Sequence, residues 1–212
     1  MEKQKIIEAL KKLKEEKRKF SQSIDLVIIL KGIDTKKENV NVFVVLPNKI
    51  KDKKVCLFSE KPVSGADKIC NKIVLKEQFA EFDKKKSKQM AQENDFFVAP
   101  ATIMASVASA FGKVLGPTGK MPSPAIGSIL AKTDEKSLKE IVDKLNRTFR
   151  VRTVKADVSL KLPIGNQKME DEKIVENIRA AEESIIKNLP KGKENIKSIL
   201  IKTTMGNPIK LE

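Results

Sequence analysis

The sequence contains no histidine, no tryptophan and no tyrosine. Histidine is the usual general base near neutral pH and the commonest metal ligand, so its absence excludes Ser–His–Asp and Cys–His catalysis and most zinc sites. Enzymes built on Lys, Asp and Glu alone remain open, but no paired carboxylates or activated nucleophile stand out. We therefore expect a protein that is not an enzyme and has no catalytic residues, no metal ion and no cofactor.

Cysteine and long apolar runs are also scarce. Cys56 and Cys70 are the only cysteines, and their apolar neighbours predict two buried, reduced side chains. A disulfide between them is the alternative, which a reducing compartment disfavours. No apolar run approaches the roughly 20 residues that span a bilayer, and the first residues lack the apolar core of a signal peptide. We expect a cytoplasmic protein with no membrane partner.

Basic residues outnumber acidic ones by 43 to 28, which gives a formal net charge of +15. A cytoplasmic protein this basic is typical of one that meets a polyanion, most often a nucleic acid. A lysine-rich surface that is merely solvated is the alternative. Because aromatic residues make up only 4% of the chain, stacking of splayed bases is disfavoured. Recognition of folded RNA through phosphates, 2′-hydroxyls and shape agrees better with this low aromatic content.

The two outer parts of the chain share one pattern, a few strands and one amphipathic helix. Apolar residues at helical spacing predict helices over 3–19 and 170–189. Apolar and β-branched runs predict strands over 25–33, 39–46, 151–162, 196–202 and 208–211. Neither part alone has enough strands for a stable sheet with a covered face. Pairing the two parts in one domain solves this problem.

The middle of the chain alternates short apolar strands with helices. We predict strands over 55–59, 73–75 and 95–100 and helices over 77–92, 101–115 and 134–148. Such alternation is typical of a small parallel α/β unit. The predicted fold therefore combines a discontinuous two-layer α+β domain, residues 1–53 plus 149–212, with an inserted three-layer Rossmann-like α/β domain, residues 54–148. Three consecutive small domains are the competing arrangement.

The glycine- and proline-rich stretch after residue 110 does not match a nucleotide-binding loop. Its glycines do not fall at the spacing of a Walker loop or of G-x-G-x-x-G, so a nucleotide-binding α/β protein is the disfavoured alternative. Its prolines fix φ and its glycines allow close backbone approach. We expect a rigid exposed loop suited to a polyanion, formed by Lys113, Gly116, Pro117, Gly119 and Lys120.

Two short segments of the predicted first domain carry groups suited to RNA. In the turn 203–206, the hydroxyl of Thr204 can exchange hydrogen bonds with a ribose 2′-OH, and Gly206 allows close approach. Met205 can lie flat on a sugar or a base edge. Phe20 follows two basic residues at the end of the first helix. A plain hairpin turn, and cations that merely favour the helix C-terminus, are the alternatives.

These motifs resemble a ribosomal protein family, the L-one family of the large-subunit stalk. The matching stretches follow one another over nearly the whole chain: Arg18-Lys-Phe-Ser-Gln-Ser-Ile-Asp25, Leu30-Lys-Gly-Ile-Asp34, Val45-Leu-Pro47, Leu115-Gly-Pro-Thr-Gly-Lys-Met-Pro-Ser-Pro124, Leu162-Pro-Ile-Gly165 and Lys202-Thr-Thr-Met-Gly206. The residues in these stretches are similar to those of archaeal members of the family. The resemblance implies two domains, the first built from both chain ends.

The resemblance also implies a function and partners. It implies a structural constituent of the large ribosomal subunit that binds large-subunit rRNA at the base of the mobile stalk and assists release of deacylated tRNA from the exit site. It further implies repression of translation of the protein's own mRNA through an rRNA-like site. The expected partners are therefore large-subunit rRNA, exit-site tRNA, its own mRNA and other ribosomal components, with the free protein a monomer.

Carried over by motif, the implied RNA contacts all lie in the first domain: Lys19, Phe20, Ser23, Ile164, Gly165, Ser198, Thr204, Met205 and Gly206. Three positions depart from the family pattern. Asn166 stands where the family usually has lysine, which removes one expected phosphate contact. Thr118 and Ser123 stand where the second-domain loop often has arginine and asparagine.

Overall fold

The computed structural model describes residues 3–15, 20–33, 40–63, 65–130, 134–153 and 157–211. The chain divides into two compact units, residues 1–50 with 147–212 (unit 1) and residues 51–146 (unit 2). The sequence places these boundaries at 53/54 and 148/149. Two domains of mixed α and β structure, one with a parallel sheet and one with an antiparallel sheet, confirm the predicted fold class.

The helices and strands follow one another in chain order. They are α1 (Lys3–Glu15), β1 (Ser23–Leu30), β2 (Asn41–Val45), β3 (Val55–Ser59), α2 (Ala66–Ile69), β4 (Lys72–Leu75), α3 (Lys84–Glu93), β5 (Phe96–Pro100), α4 (Met104–Thr118), β6 (Ile129–Leu130), α5 (Glu135–Arg147), β7 (Thr148–Arg152), β8 (Ser159–Asn166), α6 (Asp171–Asn188), β9 (Ile196–Thr203) and β10 (Ile209–Lys210). Short 3-10 helices cover Lys76–Glu81, Ala101–Ile103 and Gly192–Asn195. No helix of the described ranges is long and apolar enough to cross a membrane.

Unit 1 is built around a four-stranded antiparallel sheet with the order β10-β9-β1-β8. Strand β1 is central, so that Leu26 pairs with Leu162 on one side and with Ile201 on the other. Alternate residues of β1, β8 and β9 are buried, as expected for a sheet with one covered face. The covered face belongs to one apolar core with the buried sides of α1 and α6.

A separate two-stranded ribbon, β2 with β7, completes unit 1. Its inward residues, Val42, Val44, Phe149 and Val151, join the same apolar core, and α6 contacts both β2 and β8. The backbone N–H of Leu46 donates to the carbonyl of Arg147 at 2.9 Å. The two chain segments that lead into and out of unit 2 are therefore neighbours.

Unit 2 contains a parallel sheet with the order β4-β3-β5-β6. Phe58 and Phe97 lie in an apolar cluster with residues of α3 and α4. Leu57 and Val98, which alternate with them along β3 and β5, are buried outside that cluster. Both faces of the sheet are thus covered, as in a three-layer α/β fold. Cys56 and Cys70 are buried free thiols, as predicted, and burial raises the pKa of Cys56 to about 12.

Several predicted elements were wrong in extent. The predicted helix 77–92 divides into the 3-10 helix Lys76–Glu81 and α3, because Phe79 and Phe82 both pack edge-on against Phe111. The predicted strand 151–162 is two strands, β7 and β8, which pair with different partners. The predicted helix 101–115 begins as a 3-10 turn and runs on as α4 to Thr118. The short strand β6 was missed.

A buried asparagine in α6 fixes the end of the first chain segment of unit 1. Asn177, which is fully buried, accepts a hydrogen bond from the backbone N–H of Asn48 at 2.9 Å and donates to the carbonyls of Asn48 and Ile164 at 3.1 and 2.8 Å. One amide thus satisfies three backbone groups on two separate segments. It joins the residues after β2 to α6 and to β8.

We predict that Asn177→Ala lowers the free energy of unfolding by roughly 2–4 kcal/mol, because it leaves buried backbone groups without partners. Urea denaturation of the whole protein measures this loss. Asn188→Ala is the matched control, since the Asn188 side chain lies exposed on the same helix and donates one bond to Ser184; its effect should stay below about 0.5 kcal/mol. Equal effects of the two substitutions would contradict the role given to Asn177.

Candidate RNA interface

Three segments of unit 1 meet at one end of its sheet. They are the beginning of β1, the end of β8 and the turn that follows β9. Ile24 of β1 pairs with Gly165 on one side and Thr203 on the other. The antiparallel order places these ends together, because β8 and β9 both run against β1. We call this end of the sheet the corner; it contains most of the residues predicted to contact RNA.

The turn 203–206 is fastened to β1 by its own backbone and by a hydroxyl. The N–H and the hydroxyl of Thr204 both donate to the carbonyl of Ser23, at 3.1 and 3.3 Å. The N–H of Gly206 donates to the carbonyl of Thr203 at 3.2 Å. The turn is therefore a fixed part of the sheet edge.

Two large apolar side chains are exposed in the segments that form the corner, Met205 in the turn and Phe20 three residues before β1 begins. Met205 is 61% exposed and Phe20 is 56% exposed. Among the described residues, the other exposed large apolar side chains are Val45 and Val158, and both are less exposed than these two. Because the turn is held by hydrogen bonds, Met205 stays presented outward. The corner thus offers apolar contact area beside hydroxyl groups, a combination that suits sugar and base edges.

Sequence reasoning missed the side chain that braces the turn, Gln22. It is 1% exposed, and its Oε1 accepts a hydrogen bond from the N–H of Met205 at 3.0 Å. The N–H of Gln22 donates to Gln167 Oε1, and its carbonyl accepts from the N–H of Gln167, both at 3.0 Å. Gln22 therefore ties the turn to β1 and to the loop after β8.

The corner also holds buried polar atoms without a partner. Gln22 Nε2 and Thr203 Oγ1 are two of the three such side-chain atoms in the described part of the chain. Buried polar groups nearly always have a hydrogen-bond partner, so an exception calls for an explanation. Both atoms are buried beneath the exposed turn. The interior of the corner is therefore polar, while its surface is accessible to solvent.

The outer face of the sheet carries charge next to the corner. Asp25 of β1 pairs with Lys202 of β9. Burial raises the pKa of the Asp25 carboxyl, while the nearby Lys202 ammonium partly offsets this. Ser198 lies on the same outer face, but six residues before Thr204 on the same strand, or ~20 Å away. The structure therefore does not bring Ser198 to the corner.

Two predicted contact residues have roles in the packing of unit 1. The side chain of Ile164 is fully buried in the core. Gly165 is buried as well, and a Cβ at this position would lie 2.9 Å from Ile174 Cγ1 of α6. Close packing of β8 on α6 therefore requires glycine there without any ligand. These two residues support the corner from beneath.

The remaining predicted residues fall elsewhere. Lys19 lies outside the described residues. In unit 2, the predicted loop is partly helical, since Gly116 and Pro117 belong to the last turn of α4 and Gly119, with φ +67°, ends it. The ammonium of Lys120 donates to the carbonyls of Ala91 and Asn94, both at 2.7 Å. Lys120 thus stabilises the C-terminus of α3, and Lys113 lies exposed within α4.

Unit 2 has a cavity where α/β folds often bind ligands. It has a volume of about 580 Å³ and lies at the carboxyl ends of β3 and β5, where the strand order reverses. Glu60, Asp134 and Glu135 line it together with one cation, Lys61. This carboxylate-rich lining disfavours the phosphates of a nucleotide. Within the described residues, no group of three or more acidic or cysteine side chains is arranged to hold a metal ion.

Comparison with known proteins identifies the chain's relatives. Residues 10–207 match the model of the Ribosomal protein L1p/L10e family. The chain is 36% identical to the large ribosomal subunit protein uL1 of Nanoarchaeum equitans, covering 97% of this chain and 98% of that protein. It is 35% identical to the protein of the same name from Methanococcoides burtonii, covering 92% and 91%. The family resemblance seen in the motifs is confirmed.

We predict that Gln22→Ala loosens the turn 203–206 without unfolding unit 1. Loss of one hydrogen bond, roughly 0.5–1.5 kcal/mol, should speed amide hydrogen exchange at Met205 about 2- to 12-fold. The amide of Leu211, which donates to Ile199 near the other end of β9 at 2.8 Å, should exchange at its original rate. Unchanged exchange at Met205, measured by NMR, would show that Gln22 does not brace the turn.

Proposed function

Because the chain belongs to the Ribosomal protein L1p/L10e family, we propose that its unit 1 binds large-subunit rRNA at the base of the mobile stalk. A structural role in the large ribosomal subunit follows from the family itself. The corner of unit 1 is the surface that we assign to the RNA. The observation that carries this assignment is the attachment of the Thr204–Met205 turn to β1.

The chemistry of the corner supports contact with folded RNA. The Thr204 hydroxyl donates to Ser23, so its oxygen can still accept a hydrogen bond from a ribose 2′-OH. Met205 and Phe20 can lie against sugars or base edges. Lys202 on the adjacent face supplies positive charge near the phosphates. Because the turn is held in place before binding, little conformational freedom is lost on association.

The same surface serves the wider role that we propose. By holding rRNA at the stalk base, the protein assists the release of deacylated tRNA from the exit site. An rRNA-like site in its own mRNA would bind the same corner and repress translation. We propose that the protein is a cytoplasmic monomer when free, makes further contacts with other ribosomal components, and acts through binding alone.

We predict that Met205→Asp combined with Thr204→Ala weakens binding to a large-subunit rRNA transcript by several kcal/mol. The aspartate places a negative charge against phosphates, and the alanine removes a hydroxyl; each lost contact with a charged group is worth ~1.5–3 kcal/mol. Filter binding of the full-length protein measures the affinity. Affinity equal to that of the wild type would mean that the RNA surface lies elsewhere.

The matched control for this variant is Asn188→Asp, which adds one negative charge to the exposed end of α6. This helix lies on the opposite side of the sheet from the outer face. Its effect on RNA binding should be within about threefold, because exposed charges at a distance are screened by salt. A loss as large as that of the corner variant would indicate a general electrostatic effect.

We further predict that unit 1 supplies most of the affinity. Replacing residues 51–146 by a short glycine–serine linker should leave rRNA binding within about tenfold, or 1.4 kcal/mol. A short linker suffices because Leu46 and Arg147 are already hydrogen-bonded neighbours. Circular dichroism checks that the shortened chain is folded. If it is folded but binds several orders of magnitude more weakly, unit 2 carries the affinity instead.

A further inference from the structure

Arginine is rare in this chain and unevenly placed. Of the 43 basic residues, only five are arginine, and three of these fall within the six residues Arg147 to Arg152. Arginine presents a rigid planar fork of donors that matches phosphate in a bidentate way, whereas lysine is a flexible point charge. The strand β7 therefore differs chemically from the lysine-rich surface around it.

The fold places two of these arginines on one exposed face. In the β2–β7 ribbon, Arg152 pairs with Asn41, and Arg150 pairs with Phe43. The residues that alternate with them are buried in the core of unit 1. Side chains along a strand alternate between faces, so these four residues lie on the outer face of the ribbon, together with the exposed Val45. Arg152 is exposed, and Arg150 is partly buried.

The side chain of Arg150 is held in place by its neighbours. Its Nε donates to Asn41 Oδ1 at 2.8 Å, and its guanidinium carbon lies 5.9 Å from the centre of the Phe43 ring. A cation over an aromatic face is attracted by the ring's negative centre. The guanidinium is thus fixed against the ribbon before any ligand arrives.

The charged residues of the two strands themselves are all basic. Neither β2 nor β7 contains an acidic residue. Burial lowers the pKa of Arg150, and the positive charge of the neighbouring Arg152 lowers it further. Residues i and i+2 of a strand are ~7 Å apart. An anion bound between the two groups would relieve their repulsion and accept charge-assisted hydrogen bonds from both.

The ribbon lies next to the sheet that carries the corner. Strand β7 contacts β8, and α6 contacts both β8 and β2. The buried sides of the ribbon and of the sheet therefore cover the same helix within one core. Their outer faces both point away from it. A polyanion on the outer face of the sheet can continue across β8 onto the ribbon.

We propose that Arg150 and Arg152 form a second RNA contact of unit 1, in which their guanidinium groups bind phosphates of the RNA backbone. This contact rests on the proposed function, since it extends the RNA surface from the corner to the ribbon. Such a phosphate contact does not distinguish one base sequence from another. It positions the RNA through its backbone. The occupant is the phosphate backbone of folded RNA, because β2 and β7 present two neighbouring guanidinium groups on this face.

The test measures the affinity of full-length protein for a large-subunit rRNA transcript at several KCl concentrations. Arg152→Gln removes one exposed cation, so it should weaken binding about tenfold at low salt. The slope of log K against log salt should become shallower by about 0.9 for each lost phosphate contact. Arg150→Gln with Arg152→Gln should change the slope by about twice as much.

Arg179→Gln is the matched control, because Arg179 is an exposed arginine on α6. It should leave both the affinity and the slope unchanged. Thermal unfolding of Arg152→Gln should match the wild type, since this side chain is exposed. If both ribbon variants keep the wild-type affinity and slope while Met205→Asp still weakens binding, the ribbon contact is overturned alone, and an acidic protein becomes the better occupant. If the wild type does not bind the transcript, the proposed function fails as well.

Discussion

The backbone hydrogen bonds on both edges of β1 are the constraint on which unit 1 depends. This strand is not paired with β2, its neighbour in the sequence, but with β8 and β9 from the far end of the chain. Without those partners its apolar face has no sheet in which to lie. The same pairing brings the first residues of β1 against the turn 203–206. The strand pairing that completes the core of unit 1 therefore also forms the surface assigned to RNA.

Knowledge of the packing separates the motif residues into two groups. Gly165 and Ile164 are explained by the contact of β8 with α6, and Lys120 by the C-terminus of α3. Met205 and Phe20 are large, apolar and exposed, and no contact among the residues that the structure describes explains them. Side chains of the second kind are the ones for which a partner molecule is the better explanation.

Much of the fold could be predicted from local patterns. Alternating apolar residues identified β1 and β9, and helical spacing identified α6, because one face of each is buried. The break between the 3-10 helix Lys76–Glu81 and α3 could not be predicted, since it depends on distant contacts with Phe111. The roles of Gln22 and Asn177 were missed for a similar reason. A polar residue in a sequence does not reveal which remote backbone groups it will satisfy.

The discontinuity of unit 1 also has a consequence for biosynthesis. Unit 2 lies within one continuous stretch of chain, so it can fold as soon as residue 146 has left the ribosome that makes it. Strand β1 emerges long before but has no edge partner until β8 and then β9 have been made, more than 120 residues further along the chain. Long-range pairing of this kind is slow and leaves apolar surface exposed in the meantime. A nascent chain therefore carries a folded unit 2 beside an unpaired β1. A message truncated before β8 yields a protein in which unit 2 is complete while α1 and β1 are accessible to chaperones and proteases.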